Sequence, residues 1–206
     1  MKKKLFSLSV IVICLAIMGY GVIAYFTDVT IAHNVITSGG VDVEIVETQT
    51  GSGPSLVEGI SGVMPGGEVV RTVTVENQEK SSESWIRVWL NIAITEPGDP
   101  ILNPTVKNLP LSVKNALGED VDVVTLDISL ENWILGDDGY YYYKSSVEPE
   151  HSTSPLFTTI RFATEMGNEY QNCKVLIDIS VEAVQTANNP IPDGGDVTDI
   201  VGWPEP

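Results

Sequence analysis

The chain has 206 residues, 28 of them acidic and 11 basic, for a formal net charge of -17, and 43% of its positions are apolar. That apolar content is too high for a disordered polyanion, and the carboxylate excess is the opposite of the basic patch displayed by nucleic-acid binders. The length fits one globular domain.

The charge is unevenly placed. Lys2, Lys3 and Lys4 open the chain and no acid precedes Asp28. The lysines lead into an apolar run from Leu5 to Met18, followed by Gly19, Gly21 and the small-residue exit Val22-Ile23-Ala24. This is the layout of a secretory signal, with cleavage expected between Ala24 and Tyr25. The alternative is an uncleaved anchor, since Leu5 to Ala24 is close to the length that crosses a bilayer. Cys14 lies inside the apolar run behind Ile13, which is no lipidation context. Removal of residues 1–24 leaves 8 basic and 28 acidic groups, or -20, and a lone Cys173. A secreted domain with one cysteine has no internal disulfide and must be held by its core.

From residue 41 onward the period is two. Val41, Val43 and Ile45 alternate with Asp42 and Glu44, the pattern of a half-buried strand. After the turn signal Met64 to Glu68, the β-branched run Val69 to Val75 predicts a second strand. Trp85 to Ile94 predicts a third, with Ile86, Val88, Leu90 and Ile92 on one face and Trp85, Arg87, Trp89 and Asn91 on the other. The two indoles are expected to pack under a loop or against Arg87. Pro97, Pro100, Pro104 and Pro110 mark a surface loop over 96–110. Val121 to Asp127 predicts a strand. Gly136-Asp137-Asp138-Gly139, between Trp133 to Leu135 and Tyr140 to Tyr143, predicts a hairpin in which Tyr140 and Tyr142 face one way and Tyr141 and Tyr143 the other. Pro155 to Phe162 and Cys173 to Gln185 complete the set, the last with Val175, Ile177, Ile179, Val181 and Ala183 on one face. Residues 188–206, with four prolines and scattered acids, read as an acidic tail. About eight strands and no amphipathic helix predict an all-β, antiparallel β-sandwich spanning residues 25–187, preceded by a signal-peptide helix over 1–24.

Catalytic signatures are sparse. His33 and His151 stand more than a hundred residues apart and belong to no His-Glu-x-x-His pair, and there is no Gly-x-Ser-x-Gly elbow. Cys173 opens an apolar strand and is expected to be a partly buried thiol. Asp137 with Asp138, Glu148 with Glu150, and Asp193 with Asp196 and Asp199 match no calcium-loop spacing. These carboxylates read as a solvated face with loose divalent-cation binding at most. No cofactor, dedicated metal site or catalytic residue is expected.

Several stretches, taken in order, are similar to the camelysin and TasA family. They are Gly21 to Asp28 at the signal exit, Asn34 to Gly39, Val41 to Ile45, the Met64 to Gly67 turn with its strand ending in Asn77, Gly139 to Lys144, Thr153 to Phe157 and Ile179 to Gln185. The resemblance implies a jelly-roll form of the sandwich and a protein secreted by Gram-positive bacteria after processing by a signal peptidase of the SipW type. It further implies a biofilm-matrix fibre or cell-surface role, with the membrane involved only in the precursor and no nucleic-acid partner. The family's metallopeptidase label implies zinc, for which this sequence has no motif. Ile36 stands where an aromatic is usual.

Cleavage after Ala24 creates a new N-terminus that is apolar at Tyr25, Phe26, Val29, Ile31, Val35 and Ile36. Such a segment is a candidate donor strand for the sheet edge of a second copy, which makes the chain its own expected partner and a homopolymer the expected product. The competing expectation is a strand paired within its own sheet. A surface metallopeptidase and a monomeric cell-surface binding module are the alternative functions.

Overall fold

The computed structural model describes residues 34–38, 40–49, 64–97 and 106–203. Residues 31–206 form one compact unit, and the expected signal segment lies outside the described residues. Eleven strands occur among the described residues, in chain order β1 (Asn34–Ser38), β2 (Val43–Gln49), β3 (Glu68–Asn77), β4 (Ser84–Thr95), β5 (Ser112–Lys114), β6 (Asp120–Asp122), β7 (Val124–Leu126), β8 (Trp133–Leu135), β9 (Tyr141–Tyr143), β10 (Phe157–Phe162) and β11 (Lys174–Gln185). They make a five-stranded sheet ordered β1-β11-β4-β9-β8, a four-stranded sheet ordered β2-β3-β10-β7, and a small β5-β6 hairpin.

The alternating strands build the core. Ile86, Val88 and Ile94 of β4 and Val175, Ile177, Ile179, Val181 and Ala183 of β11 point to one side of the larger sheet. They meet Val43 and Ile45 of β2, Val73 and Val75 of β3, and Phe157, Ile160 and Phe162 of β10 in one cluster, so two sheets are packed across a shared core as an all-β sandwich. β4 and β11 form its spine, paired antiparallel without interruption from Lys174 opposite Thr95 to Gln185 opposite Ser84.

Two of the predicted strands differ in detail. Val121 to Asp127 is divided between β6 and β7 at the fully buried Val123, because the first half pairs with β5 and the second with β10. Pairing of β10 with β3 also shifts register between Phe157 and Thr159. A bulge frees backbone donors there. Asp127 takes them up: its carboxylate accepts from Thr158 N at 2.7 Å, Thr158 Oγ1 at 2.6 Å and Thr159 N at 2.6 Å. Burial alone would raise its pKa, but these bonds outweigh it and hold Asp127 below the ordinary carboxylate value. Its stabilisation is therefore full above the ordinary value and is lost as pH falls through the depressed one. Asp127→Ala strands three donors, and an expected loss of about 2–3 kcal/mol is checked by urea unfolding.

The Gly136 to Tyr140 turn closes the β8-β9 hairpin as its sequence predicts. Gly136 N donates to Tyr140 O at 2.8 Å, and Gly139 occupies φ +86°, a conformation that favours glycine. The tyrosines divide by face. Tyr141 and Tyr143 pack against the core, with the Tyr143 ring 5.0 Å from that of Trp133. Tyr140 and Tyr142 lie on the outer surface of the sheet.

Candidate functional site

Two features of the five-stranded sheet stand out: its N-terminal edge strand and a buried charge cluster on its outer face.

The edge strand is β1. It runs parallel to β11, with Asn34 opposite Ser180, Val35 opposite Val181, Ile36 opposite Glu182 and Ser38 opposite Val184. Every other strand pairing among the described residues is antiparallel. β1 has one neighbouring strand and flanks only the second half of β11. Val35, an apolar residue, is 41% exposed there. Of the candidate donor residues, Val35 and Ile36 thus lie in a strand of the chain's own sheet, while Tyr25, Phe26, Val29 and Ile31 lie outside the described residues, as does Ala24.

The charge cluster centres on Arg87, on the outward face of β4 yet only 7% exposed. Antiparallel register places Glu182 of β11 directly opposite. Glu182 is 3% exposed, and its Oε2 accepts from Arg87 Nε at 2.7 Å and lies 2.5 Å from Nη2, a charge-assisted ion pair. Asp138, in the hairpin turn, accepts from Arg87 Nη1 at 3.2 Å and from the Tyr142 hydroxyl at 2.6 Å. Tyr140 donates to Glu182 at 3.0 Å. Rings close over the guanidinium: its carbon lies 4.0 Å from the Tyr140 centroid and 4.7 Å from that of Trp203. Burial would lower the Arg87 pKa, but bonds to Tyr142 and Glu182 raise it, so the guanidinium stays charged.

Burial, then the bond to the Asp138 carboxylate, pushes Tyr142 up to about 12. The phenol ionises near 10 when unfolded, so stability is full below pH 10 and declines as pH rises toward 12. The expected loss, on the order of 2 kcal/mol, is checked by urea midpoints at pH 9 and 11.5. Tyr142→Phe should flatten that dependence.

Trp203 reaches the cluster because the C-terminal segment does not leave the domain. Val197 and Ile200 are buried and pack with Tyr142 and Val184, and Trp85, Ile134, Tyr140, Ile191 and Trp203 surround them. Trp85 Nε1 donates to Asn189 O at 2.8 Å, so this indole does pack under a loop, while Trp89 is 39% exposed. Nothing in strand periodicity marks residues 189–203, but Val197, Ile200 and Trp203 recur every third residue. That spacing fits the 3-10 turn Val197–Asp199 and the extended Ile200 (φ -66°, ψ 130°) that follows it.

The remaining candidate donors of chemistry are dispersed. His151 is exposed with Nδ1 2.9 Å from Pro149 O, and His33 lies outside the described residues. Cys173 is fully buried, and burial raises its thiol pKa. Asp196 and Asp199 form a capping box with each other's backbone, and Asp138 is committed to Arg87 and Tyr142. Among the described residues no three His, Cys, Asp or Glu side chains gather closely enough to hold a metal. The donor set described therefore does not fit a zinc centre. No helix among these residues is long and apolar enough to cross a membrane.

Residues 1–93 match the family described as camelysin metallo-endopeptidase. The resemblance in the sequence to that family is thereby shown over this stretch, which runs through β1, β2, β3 and most of β4. The camelysin-like part contributes the edge strand, half of the sheet spine and Arg87. Glu182, Asp138, the tyrosines and Trp203 lie beyond it. No curated protein matches the chain.

Proposed function

We propose that this protein is a secreted structural component of an extracellular or biofilm matrix, freed by cleavage after Ala24 and polymerising through its N-terminal segment. The observation that carries this reading is β1, a five-residue edge strand parallel to β11 in an otherwise antiparallel sandwich. It precedes every other described strand and has a single neighbour, so it can be withdrawn without unpairing any hairpin. β11 then offers its edge to the same segment of another copy, a strand addition held by main-chain hydrogen bonds with side-chain pockets setting register. A donated segment that kept the β1 register upstream would set Val29 beside Val175 and Ile31 beside Ile177, both inward-facing positions of β11. Such a contact is head-to-tail and propagates into a filament. The tethered precursor lacks a free donor, which makes the SipW-type signal peptidase the trigger.

The camelysin likeness supports export, and the acidity of the cleaved chain supports control by salt or divalent cations, which screen like-charged subunits. The test is N-terminal sequencing of secreted protein combined with negative-stain imaging. Tyr25 as first residue in filamentous material is expected; a monodisperse secreted monomer contradicts the reading.

A further inference from the structure

The C-terminal segment packs on the outer face of the five-stranded sheet, away from the inward-facing core. Among the described residues, the segment 190–203 makes no hydrogen bond outside itself. Gly195 N bonds Pro192 O, Asp199 N bonds Asp196 O, and Asp196 caps Thr198. The last tie to the sheet is at Asn189, through Trp85 Nε1 and through Asn189 Nδ2 to Gln185 O at 2.8 Å. Beyond it the segment is held by side chains alone: Val197 and Ile200 inserted beside Tyr142 and Val184, and Trp203 stacked on Arg87 and edge-on to Tyr142 at 5.4 Å. Val201, between the anchors, is 96% exposed. The receiving surface is organised without the segment, since Arg87, Glu182, Asp138, Tyr140 and Tyr142 are fixed by one another on β4, β9, β11 and the β8-β9 turn.

This is the anatomy of a peptide bound in a groove, with three apolar anchors at three-residue spacing and acidic residues Asp193, Asp196 and Asp199 between or before them. Segments held by few buried contacts and no ladder open at low free-energy cost. We propose that the groove over Arg87 and Tyr142 takes the Asn189–Trp203 segment of a second copy in exchange for its own. The contacts made in cis and in trans are the same, so the outcome is set by effective concentration. For dilute chains the tethered segment wins, and at the millimolar local concentrations of packed subunits the exchange competes. The groove and its ligand stand whether or not the N-terminal strand exchanges.

The test uses the full chain and a fluorescent peptide of residues 189–203. The wild-type chain, whose own segment competes, should bind it weakly. The Trp203→Ala chain keeps its core and its groove but docks its own segment less well, and should bind the wild-type peptide at least 10-fold more tightly. A peptide carrying Trp203→Ala should lose that gain. Equal binding by the two chains, equal binding of the two peptides, or none in any combination overturns the proposal. Circular dichroism of the Trp203→Ala chain should be unchanged.

Discussion

Arg87→Ala is expected to destabilise the domain by about 3–5 kcal/mol, the cost of leaving a buried carboxylate without its cation. Glu182 is 3% exposed and would keep only the Tyr140 hydroxyl as a donor. The guanidinium also supplies the surface on which Trp203 and Tyr140 stack, so the C-terminal segment should loosen in the same variant. The cost measures the broken pair rather than the worth of the intact one, because desolvation of both ions offsets their attraction. The double variant Arg87→Met with Glu182→Leu should therefore recover most of the loss. Urea unfolding of the wild-type, single and double variants checks this. A single variant as stable as wild type would mean that the pair is not buried in solution.

A chain beginning at Gly40 is expected to fold and yet to form no filaments. The described core is built by β2, β3, β4, β10 and β11 together with residues of the later loops, all downstream of Gly40. Folding should accordingly survive, with a modest loss of stability from uncovering Ser180 to Val184 of β11. Filament growth should not survive, because the shortened chain presents the β11 acceptor edge and no N-terminal donor. It should instead bind an added peptide of residues 25–38, and that complex should be monomeric. Circular dichroism separates loss of folding from loss of assembly, and light scattering reports the latter. Filaments formed by the shortened chain would remove the N-terminal segment from the mechanism.

The spine of the fold was legible because β3, β4 and β11 have one buried face, so side-chain periodicity writes itself into the sequence. Trp85, Arg87, Trp89 and Asn91 share a face in the structure as their spacing predicts, and the Asp-Gly turn forms where it was expected. Less legible was whatever depends on partners. Val121 to Asp127 alternates without interruption, and only its two different neighbours divide it at Val123. Arg87 falls on the polar face of its strand, and its burial follows from register with Glu182 and from a cover that comes from residue 203. The C-terminal segment reads as a tail on its prolines and scattered acids, and its three-residue apolar period belongs to neither α-helix nor strand. β1 was anticipated both as a donor and as a strand of its own sheet. Its parallel direction is set by β11, more than a hundred residues away, and no local pattern encodes it.

The most direct test of strand exchange is a covalent one. Val35 stands opposite Val181 on adjacent strands, and neighbouring backbones lie about 4.8 Å apart, within the reach of a disulfide. A chain starting at Tyr25 and carrying Val35→Cys and Val181→Cys should be allowed to assemble, then oxidised and run on a denaturing gel without reductant. Exchange in trans predicts a ladder of linked multimers that collapses to monomer on reduction. Assembled material that yields only internally bridged monomers would show that β1 stays in its own sheet, and would contradict the account.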